Sequence, residues 1–197
     1  RTFGEGREGG TKGESTSIFY DTAKYQVDSK KTIWLSPTPD RVSKGWDAAF
    51  WRICTYGYFR KKDSGESFWV FNTHLDHKGV VARNNSVQLI MDLIDSVNTT
   101  KAPVVLMGDF NSTPESDVIL KLKSKMNDSR DISEIQPFGE DGTFNGFDFE
   151  AVAKDRIDYI FVSKEPELRV KKYAVIRNSK NQKFPSDHFP VFALIYW

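Results

Sequence analysis

The sequence predicts an α/β fold in one domain, residues 1–197, on three observations. Short apolar and aromatic runs bounded by turn residues recur along the chain and are typical of sheet strands. One stretch has helical spacing behind a polar start at 83–85, with an apolar stripe formed by Val87, Ile90, Met91, Ile94 and Val97. No internal repeat, low-complexity tract or linker divides the chain.

Strands are predicted on both sides of this helix. Residues 51–59 and 68–73 flank a turn-rich stretch and therefore predict a hairpin. Residues 103–107 form a continuous apolar run too short for a helix, so we expect a strand that is buried on both faces. Further strands are predicted at 17–20, 32–35, 157–162, 170–176 and 190–197.

Two other stretches carry local signals. Residues 1–16 are rich in glycine and lack periodicity, which predicts a loop. A second helix is predicted to begin with Thr113 as its cap and Pro114 in its first position, and to bury Val118, Ile119 and Leu122.

Composition limits the partners. With 28 basic and 27 acidic residues the net charge is +1, so there is no long-range attraction to nucleic acid or to an anionic membrane. Any recognition of phosphate must therefore be local. Cys54 is the single cysteine, which excludes an intramolecular disulfide, and its apolar surroundings predict a buried strand residue.

The compartment is left open by the sequence. No apolar stretch approaches the roughly 20 residues that span a bilayer, so we expect no transmembrane segment. The chain begins with Arg1 and not with methionine. We expect a soluble protein, secreted or periplasmic if sequence upstream of Arg1 carries a signal peptide.

Polar residues follow apolar strands in four segments, 72–77, 108–111, 156–159 and 186–190. In the second segment Asp109 and Asn111 are two residues apart, so in extended backbone they share a face while Phe110 points into the core. A carboxylate there can hold a cation or orient water, and an amide can donate to an oxygen that gains charge. The alternative is a turn in which both side chains satisfy backbone groups.

A histidine paired with an aspartate is predicted from the last two segments. Asp158 is expected inside a strand, where a charge is costly unless it is paired. His188 is the expected partner, because such a carboxylate makes the imidazole a better base toward water. The alternative is a structural salt bridge between Asp158 and Arg156 or a nearby lysine. Asp187 offers oxygen ligands of the kind that Mg²⁺ prefers.

The remaining candidates are a histidine and an arginine. His74, at the end of a strand, is predicted to contact phosphate, whereas His77 is interpreted as a loop residue. Arg52 interrupts an aromatic strand, and its guanidinium fork matches phosphate oxygens. Zinc is disfavoured because one cysteine and three histidines give no cluster with ligand spacing, and no serine-nucleophile motif is present.

The ordered motifs Thr-His, Gly-Asp-Phe-Asn, Ile-Asp-Tyr and Ser-Asp-His-Phe-Pro resemble those of the endonuclease/exonuclease/phosphatase superfamily. That resemblance implies a deoxyribonuclease-I-like four-layer sandwich, with two mixed β-sheets packed face to face and helices outside. It implies catalytic roles for His74, Asp109, Asn111, Asp158 and His188.

The resemblance also implies the cofactor and the reaction. Asp187 and Asp109 would bind Mg²⁺ or Mn²⁺, and the reaction would be hydrolysis of a phosphodiester or phosphomonoester by water that His188 activates. The substrate would be nucleic acid or a small phosphorylated metabolite, and no partner protein is implied. The alternatives are a phosphatase acting on inositol, sugar or lipid phosphates, and a non-catalytic binding fragment.

Within the superfamily, the stretches 34–39 and 43–49 resemble an uncharacterised bacterial branch. Trp46 and Asn145 would then line the substrate cleft beside Arg52; a core role for Trp46 is the alternative. The resemblance begins partway through the family pattern, so the fold is expected to be N-terminally incomplete. An early asparagine and a metal-binding glutamate have no counterpart, and Glu14 is a poor substitute because it precedes a strand.

Overall fold

The computed structural model describes residues 1–150, 152–164, 166 and 168–197. They form two compact units, Arg1–Asn111 and Ser112–Trp197. The expectation of one domain stays a prediction, and each unit is considered by itself.

The first unit is built mainly from β-strands. Strands β1 (Thr2–Phe3) and β2 (Ile18–Phe19) pair antiparallel. Four longer strands lie side by side in the order β3, β4, β5, β6. They are β3 (Tyr25–Trp34), β4 (Ile53–Lys61), β5 (Ser67–His74) and β6 (Val104–Asp109). Pairing is antiparallel between β3 and β4 and between β4 and β5, which confirms the predicted hairpin.

Strands β5 and β6 pair parallel, and helix α1 (Val80–Val97) connects them. The parallel register sets His74 opposite Asp109 at the ends of the two strands. Gly108 makes this approach possible, because its φ is +139° and a Cβ there would lie 1.9 Å from the Thr73 carbonyl oxygen. The sheet therefore brings two predicted site residues to one edge.

Helix α1 begins at Val80, three residues before the predicted polar start. Its cap is not local: Asp47 Oδ2 accepts the N–H of Val81 at 3.2 Å and Asp47 Oδ1 accepts that of Ala82 at 2.7 Å. A carboxylate at this end of a helix also interacts favourably with the helix dipole. The predicted stripe is confirmed at its centre, where Val87, Ile90 and Ile94 are buried.

One strand prediction and one loop prediction in this unit need correction. Val104 and Leu106 are buried in β6, but Val105 and Met107 are only half-buried, so the strand is not buried on both faces. The glycine-rich start contains β1 as well as a bridge between Gly6 and Ser15, so it is more ordered than a plain loop. Cys54 is fully buried, as predicted.

The second unit holds helix α2 (Asp117–Lys125) and two pairs of antiparallel strands. Strands β7 (Met126–Asp128) and β8 (Asp158–Ser163) form one pair, and β9 (Arg169–Val175) and β10 (Val191–Tyr196) form the other. A separate apolar core consists of Ala153, Tyr173, Val175, Phe184 and Phe189.

The predicted start of α2 is wrong by several residues. Ser116 is the cap, and in the turn before the helix the carbonyl oxygen of Thr113 accepts both the N–H and the Oγ–H of Ser116. The expected inward residues Val118, Ile119 and Leu122 are buried. Among the described residues, no helix has the length and apolar character needed to cross a membrane.

Candidate active site

The first unit gathers three of the predicted residues where β5 and β6 end. His74 Nε2 lies 3.2 Å from Asp109 Oδ2, and Asn111 Nδ2 lies 3.3 Å from the same oxygen. Phe110, between them, is fully buried and anchors the segment in the core. The resulting cluster combines a carboxylate with an imidazole and an amide.

The backbone at Asn111 differs from the expectation. Its φ is +46°, so the segment turns and is not extended, and Asp109 Oδ1 accepts the Asn111 N–H at 2.8 Å. Asn111 Nδ2 also donates to the Leu75 carbonyl oxygen at 2.9 Å. The turn interpretation of this segment therefore holds, and the turn itself places the two polar side chains together.

Glu14 lies beside this cluster although its sequence position argued against it. Its Oε2 is 3.9 Å from His74 Nδ1, 4.0 Å from Arg52 Nη1 and 2.5 Å from Arg7 Nη1. The carboxylate is largely exposed. The next residue, Ser15, forms an antiparallel bridge with Gly6, which the sequence pattern did not indicate.

Arg52 is buried and already has protein partners. Its Nε lies 3.2 Å from Asp76 Oδ1, and its Nη2 lies 3.1 Å from His77 Nδ1. These contacts support a role in holding the loop that follows β5. Direct contact with phosphate stays a prediction for this residue.

Asp76 is the centre of that loop, and it was not among the residues predicted from sequence. Its carboxylate accepts backbone N–H groups from Ala49, Phe50, Lys78 and Gly79. Burial raises the pKa of this carboxyl, but the four N–H donors outweigh burial and hold the pKa well below its usual range. The charged form of Asp76 therefore fixes the backbone next to His74.

Trp46 is close in sequence to Ala49 and Phe50, and its side chain does not lie in the core. Its side chain is 37% exposed, and its φ of +50° is unusual for a bulky residue. The core alternative is therefore wrong. A contact between Trp46 and substrate stays a prediction.

In the second unit His188 and Asp158 form a hydrogen-bonded pair. His188 Nδ1 lies 2.7 Å from Asp158 Oδ2, and both side chains are partly exposed. Asp158 was expected inside a strand, but it is the first residue of β8 and so lies at a strand end. Phe144 packs edge-to-face on the His188 ring at 5.2 Å between centroids.

Thr143 holds both members of this pair, and no role was predicted for it from sequence. Its Oγ1 accepts the backbone N–H of Asp158 at 3.1 Å and that of Ile157 at 3.0 Å. Its carbonyl oxygen accepts the N–H of Phe189 at 2.7 Å. Since Phe189 directly follows His188, one buried threonine fixes the backbone on both sides of the pair.

Asn145 is buried and anchors the segment that carries His188. Its N–H donates to the Asp187 carbonyl oxygen at 2.8 Å, and its Nδ2 donates to the Ser186 carbonyl oxygen at 3.1 Å. Its Oδ1 accepts the N–H of Phe147. These contacts support a positioning role, and direct binding of substrate by Asn145 stays a prediction.

Arg156 is not the partner of Asp158. Its Nη2 lies 2.8 Å from Asp128 Oδ2, and both side chains are buried. The guanidinium lies over the Tyr159 ring at 4.4 Å. Burial lowers the pKa of Arg156, but its hydrogen bond and charge attraction to Asp128 outweigh burial and raise it. Burial raises the pKa of neighbouring Tyr173 to about 12.

A sequence model described as the endonuclease/exonuclease/phosphatase family matches residues 22–188. The chain belongs to this family. The predicted superfamily is thereby confirmed, whereas the bacterial branch stays a prediction.

Solved structures of family members align with the whole chain. A mannosyl-6-phosphatase from Bacteroides thetaiotaomicron is 38% identical with a TM-score of 0.91, covering 100% of this chain and 77% of that chain. An endonuclease/exonuclease/phosphatase from Bacteroides vulgatus is 35% identical with a TM-score of 0.91, covering 100% and 76%. The expected fold class, the α/β deoxyribonuclease-I-like sandwich, is therefore confirmed.

Two curated relatives are longer than this chain. An uncharacterised protein of Acanthamoeba polyphaga mimivirus is 37% identical over 98 residues, which are 48% of this chain and 36% of that protein. Sphingomyelinase C of Leptospira interrogans is 29% identical over 175 residues, 78% of this chain and 31% of that enzyme. The chain thus spans about a third of the length of these two proteins.

The endonuclease/exonuclease/phosphatase motifs are thus placed in two groups. One group joins His74, Asp109 and Asn111 in the first unit. The other joins Asp158 and His188 in the second, and Asp187 directly precedes His188 in sequence.

Proposed function

We propose that this protein is a divalent-metal-dependent phosphoesterase in which His188, held by Asp158, activates the attacking water. The 2.7 Å contact between His188 Nδ1 and Asp158 Oδ2 is the observation that carries the proposal. A carboxylate only accepts hydrogen bonds, so Nδ1 carries the proton in this contact. Nε2 is then the nitrogen that takes a proton from water. Family membership supports chemistry on a phosphate ester.

The donor chemistry fits a hard divalent cation such as Mg²⁺ or Mn²⁺. Asp109 and Asp187 are only partly buried and offer carboxylate oxygens, the ligands that these ions prefer. Asp187 has no ion pair with a basic side chain among the residues that the structure describes. The buried Cys54, whose pKa burial raises, offers no thiolate ligand for zinc. We therefore assign Asp109 and Asp187 as metal ligands.

A bound divalent cation would supply neutralisation of phosphate charge and polarisation of the ester. The side chains of the first group support this chemistry in different ways. His74 is proposed to donate a hydrogen bond to a phosphate oxygen. Both amide hydrogens of Asn111 have acceptors, Leu75 and Asp109, so Asn111 is proposed to orient the Asp109 carboxylate.

The substrate proposed first is a phosphomonoester on a sugar or a similar small molecule. The likeness to a mannosyl-6-phosphatase over the whole chain supports it, and the net charge of +1 does not favour a long anionic polymer. The likeness to a sphingomyelinase supports a second candidate, a phosphodiester carried by a lipid.

A substrate panel with and without Mg²⁺ tests the activity. It contains hexose phosphates, inositol phosphates, sphingomyelin, DNA and RNA, and we expect Mg²⁺-dependent release of phosphate from a hexose phosphate. His188→Asn and Asp158→Asn should each lower the rate by about 10²–10⁴. Asp155→Asn is the matched control for Asp158→Asn, because Asp155 is exposed in the same unit and belongs to neither group. Near-normal turnover by His188→Asn would refute the proposal.

A further inference from the structure

The turn that precedes Ser186 carries two lysines, Lys180 and Lys183, that pair with each other across the turn. Lys180 N donates to the Lys183 carbonyl oxygen at 3.0 Å, and Lys183 N donates to the Lys180 carbonyl oxygen at 3.1 Å. Residues that pair directly across a hairpin project from the same side, and like charges in such a pair repel. Neither lysine forms an ion pair with an acidic side chain in the described part of the chain.

The backbone of this turn is strained as well. Asn181 and Gln182 both have positive φ, +51° and +57°. A two-residue turn of this kind favours glycine at its second position, and glutamine there is unfavourable. Strain of this sort is found where a ligand site requires a particular geometry. Charge repulsion and backbone strain thus both destabilise the turn. An anion bound between the two lysines would offset the repulsion.

The turn borders a depression of about 500 Å³, a volume that is ordinary for a small-molecule site. Its lining combines amide, hydroxyl and ammonium groups with an apolar wall: Asn178, Ser179, Lys180, Asn181, Lys183, Phe184 and Pro185. All the polar members are exposed.

This depression is tied to the segment that holds the proposed base. Phe184 is buried and packs edge-to-face on Phe189, with ring centroids 4.9 Å apart. Lys183 lies five residues before His188, so their Cα atoms are at most roughly 17 Å apart even in extended chain. A lysine side chain and a small two-headed ligand together can cover such a distance.

We propose that the turn 178–185 binds a second phosphate group of the substrate, so that preferred substrates are small molecules carrying two phosphates. The proposal rests on the proposed function, because the other phosphate is the one hydrolysed. Lys180 and Lys183 supply point charges for phosphate oxygens. Asn178, Ser179 and Asn181 supply neutral hydrogen-bonding groups for phosphate or hydroxyl oxygens.

Calorimetric titration in EDTA tests this without turnover. The probes are glucose 1,6-bisphosphate and glucose 6-phosphate, and the wild-type protein should bind the bisphosphate at least about fivefold more tightly. Lys180→Gln/Lys183→Gln should remove this preference. Lys171→Gln/Lys172→Gln is the control, because it changes the net charge equally at exposed positions of β9 and should keep the preference.

The outcomes separate this site from the proposed function. A lysine-dependent preference in a protein that hydrolyses none of the panel would support the anion site and contradict the phosphoesterase. Hydrolysis combined with equal binding of the two probes would overturn the anion site alone. An equal loss of preference in both double variants would also overturn it, since that result indicates a general charge effect.

Discussion

Thr143 holds Asp158 by its backbone: the threonine Oγ1 accepts the Asp158 N–H at 3.1 Å. Because Thr143 is fully buried, water cannot replace the hydroxyl. In Thr143→Val two N–H groups lose their acceptor, and we expect a loss of about 1–3 kcal/mol in the free energy of unfolding. We also expect kcat to fall with little change in KM, because the Asp158 carboxylate is no longer held in position to orient the His188 ring.

Thr143→Ser keeps the hydroxyl and serves as the control. It should retain most of kcat while losing some stability through the missing methyl group. Urea denaturation and steady-state kinetics on the same samples separate the two effects. Unchanged kcat in a folded Thr143→Val protein would show that Thr143 has only a structural role.

The sequence could predict the residues at strand ends because their signal is local. An apolar run followed by Gly-Asp-Phe-Asn or Ser-Asp-His predicts both a strand and the polar group it presents. The pairing of Asp158 with His188 was predicted from the cost of an unpaired charge inside a strand, although Asp158 is the first residue of β8.

The residues that hold these groups in place were not predicted, because their partners are distant in the chain. Asp47 caps a helix that begins at Val80, and Thr143 bonds Asp158 across a long loop. Nothing near Asp76 in sequence indicates that it binds the N–H groups of Ala49 and Phe50. Such contacts depend on how loops fold back, which periodicity does not describe.

The buried pair of Asp128 and Arg156 makes a prediction about stability. Asp128→Ala would leave the buried Arg156 guanidinium without its carboxylate, and losing one partner of such a pair typically costs about 3–5 kcal/mol. Chemical denaturation should therefore show a large fall in the free energy of unfolding. Asp131→Ala removes a more exposed carboxylate, paired with Lys123, and should cost less than about 1 kcal/mol. Equal effects of the two variants would contradict this account.

Acid should weaken the loop after β5 through Asp76. The folded-state pKa of this carboxyl lies well below the unfolded value of about 3.9. Its contribution to stability is therefore present above the unfolded pKa and is lost as the pH falls toward the folded one. We expect the free energy of unfolding to decrease below about pH 4.

Asp76→Asn isolates that contribution. The variant should be less stable at neutral pH, because Arg52 and several N–H groups lose a charged acceptor, and its stability should change less with acid. Asp63→Asn, in an exposed turn, should keep the wild-type pH dependence. Parallel acid dependence in wild type and Asp76→Asn would argue against the assignment.

A substitution of Asp187 tests metal binding most directly, because its backbone carbonyl holds the neighbouring loop while its carboxylate is the proposed metal ligand. Its carbonyl oxygen accepts the N–H of Asn145 and Gly146, and Asp187→Asn keeps that carbonyl while removing the anionic ligand. The Mg²⁺ concentration for half-maximal activity should therefore rise at least about tenfold, with thermal stability nearly unchanged. Asp155→Asn removes an exposed carboxylate in the same unit and should leave the Mg²⁺ dependence as in wild type. A wild-type Mg²⁺ titration by Asp187→Asn would exclude this residue from the metal site, even if His188 and Asp158 prove to be catalytic.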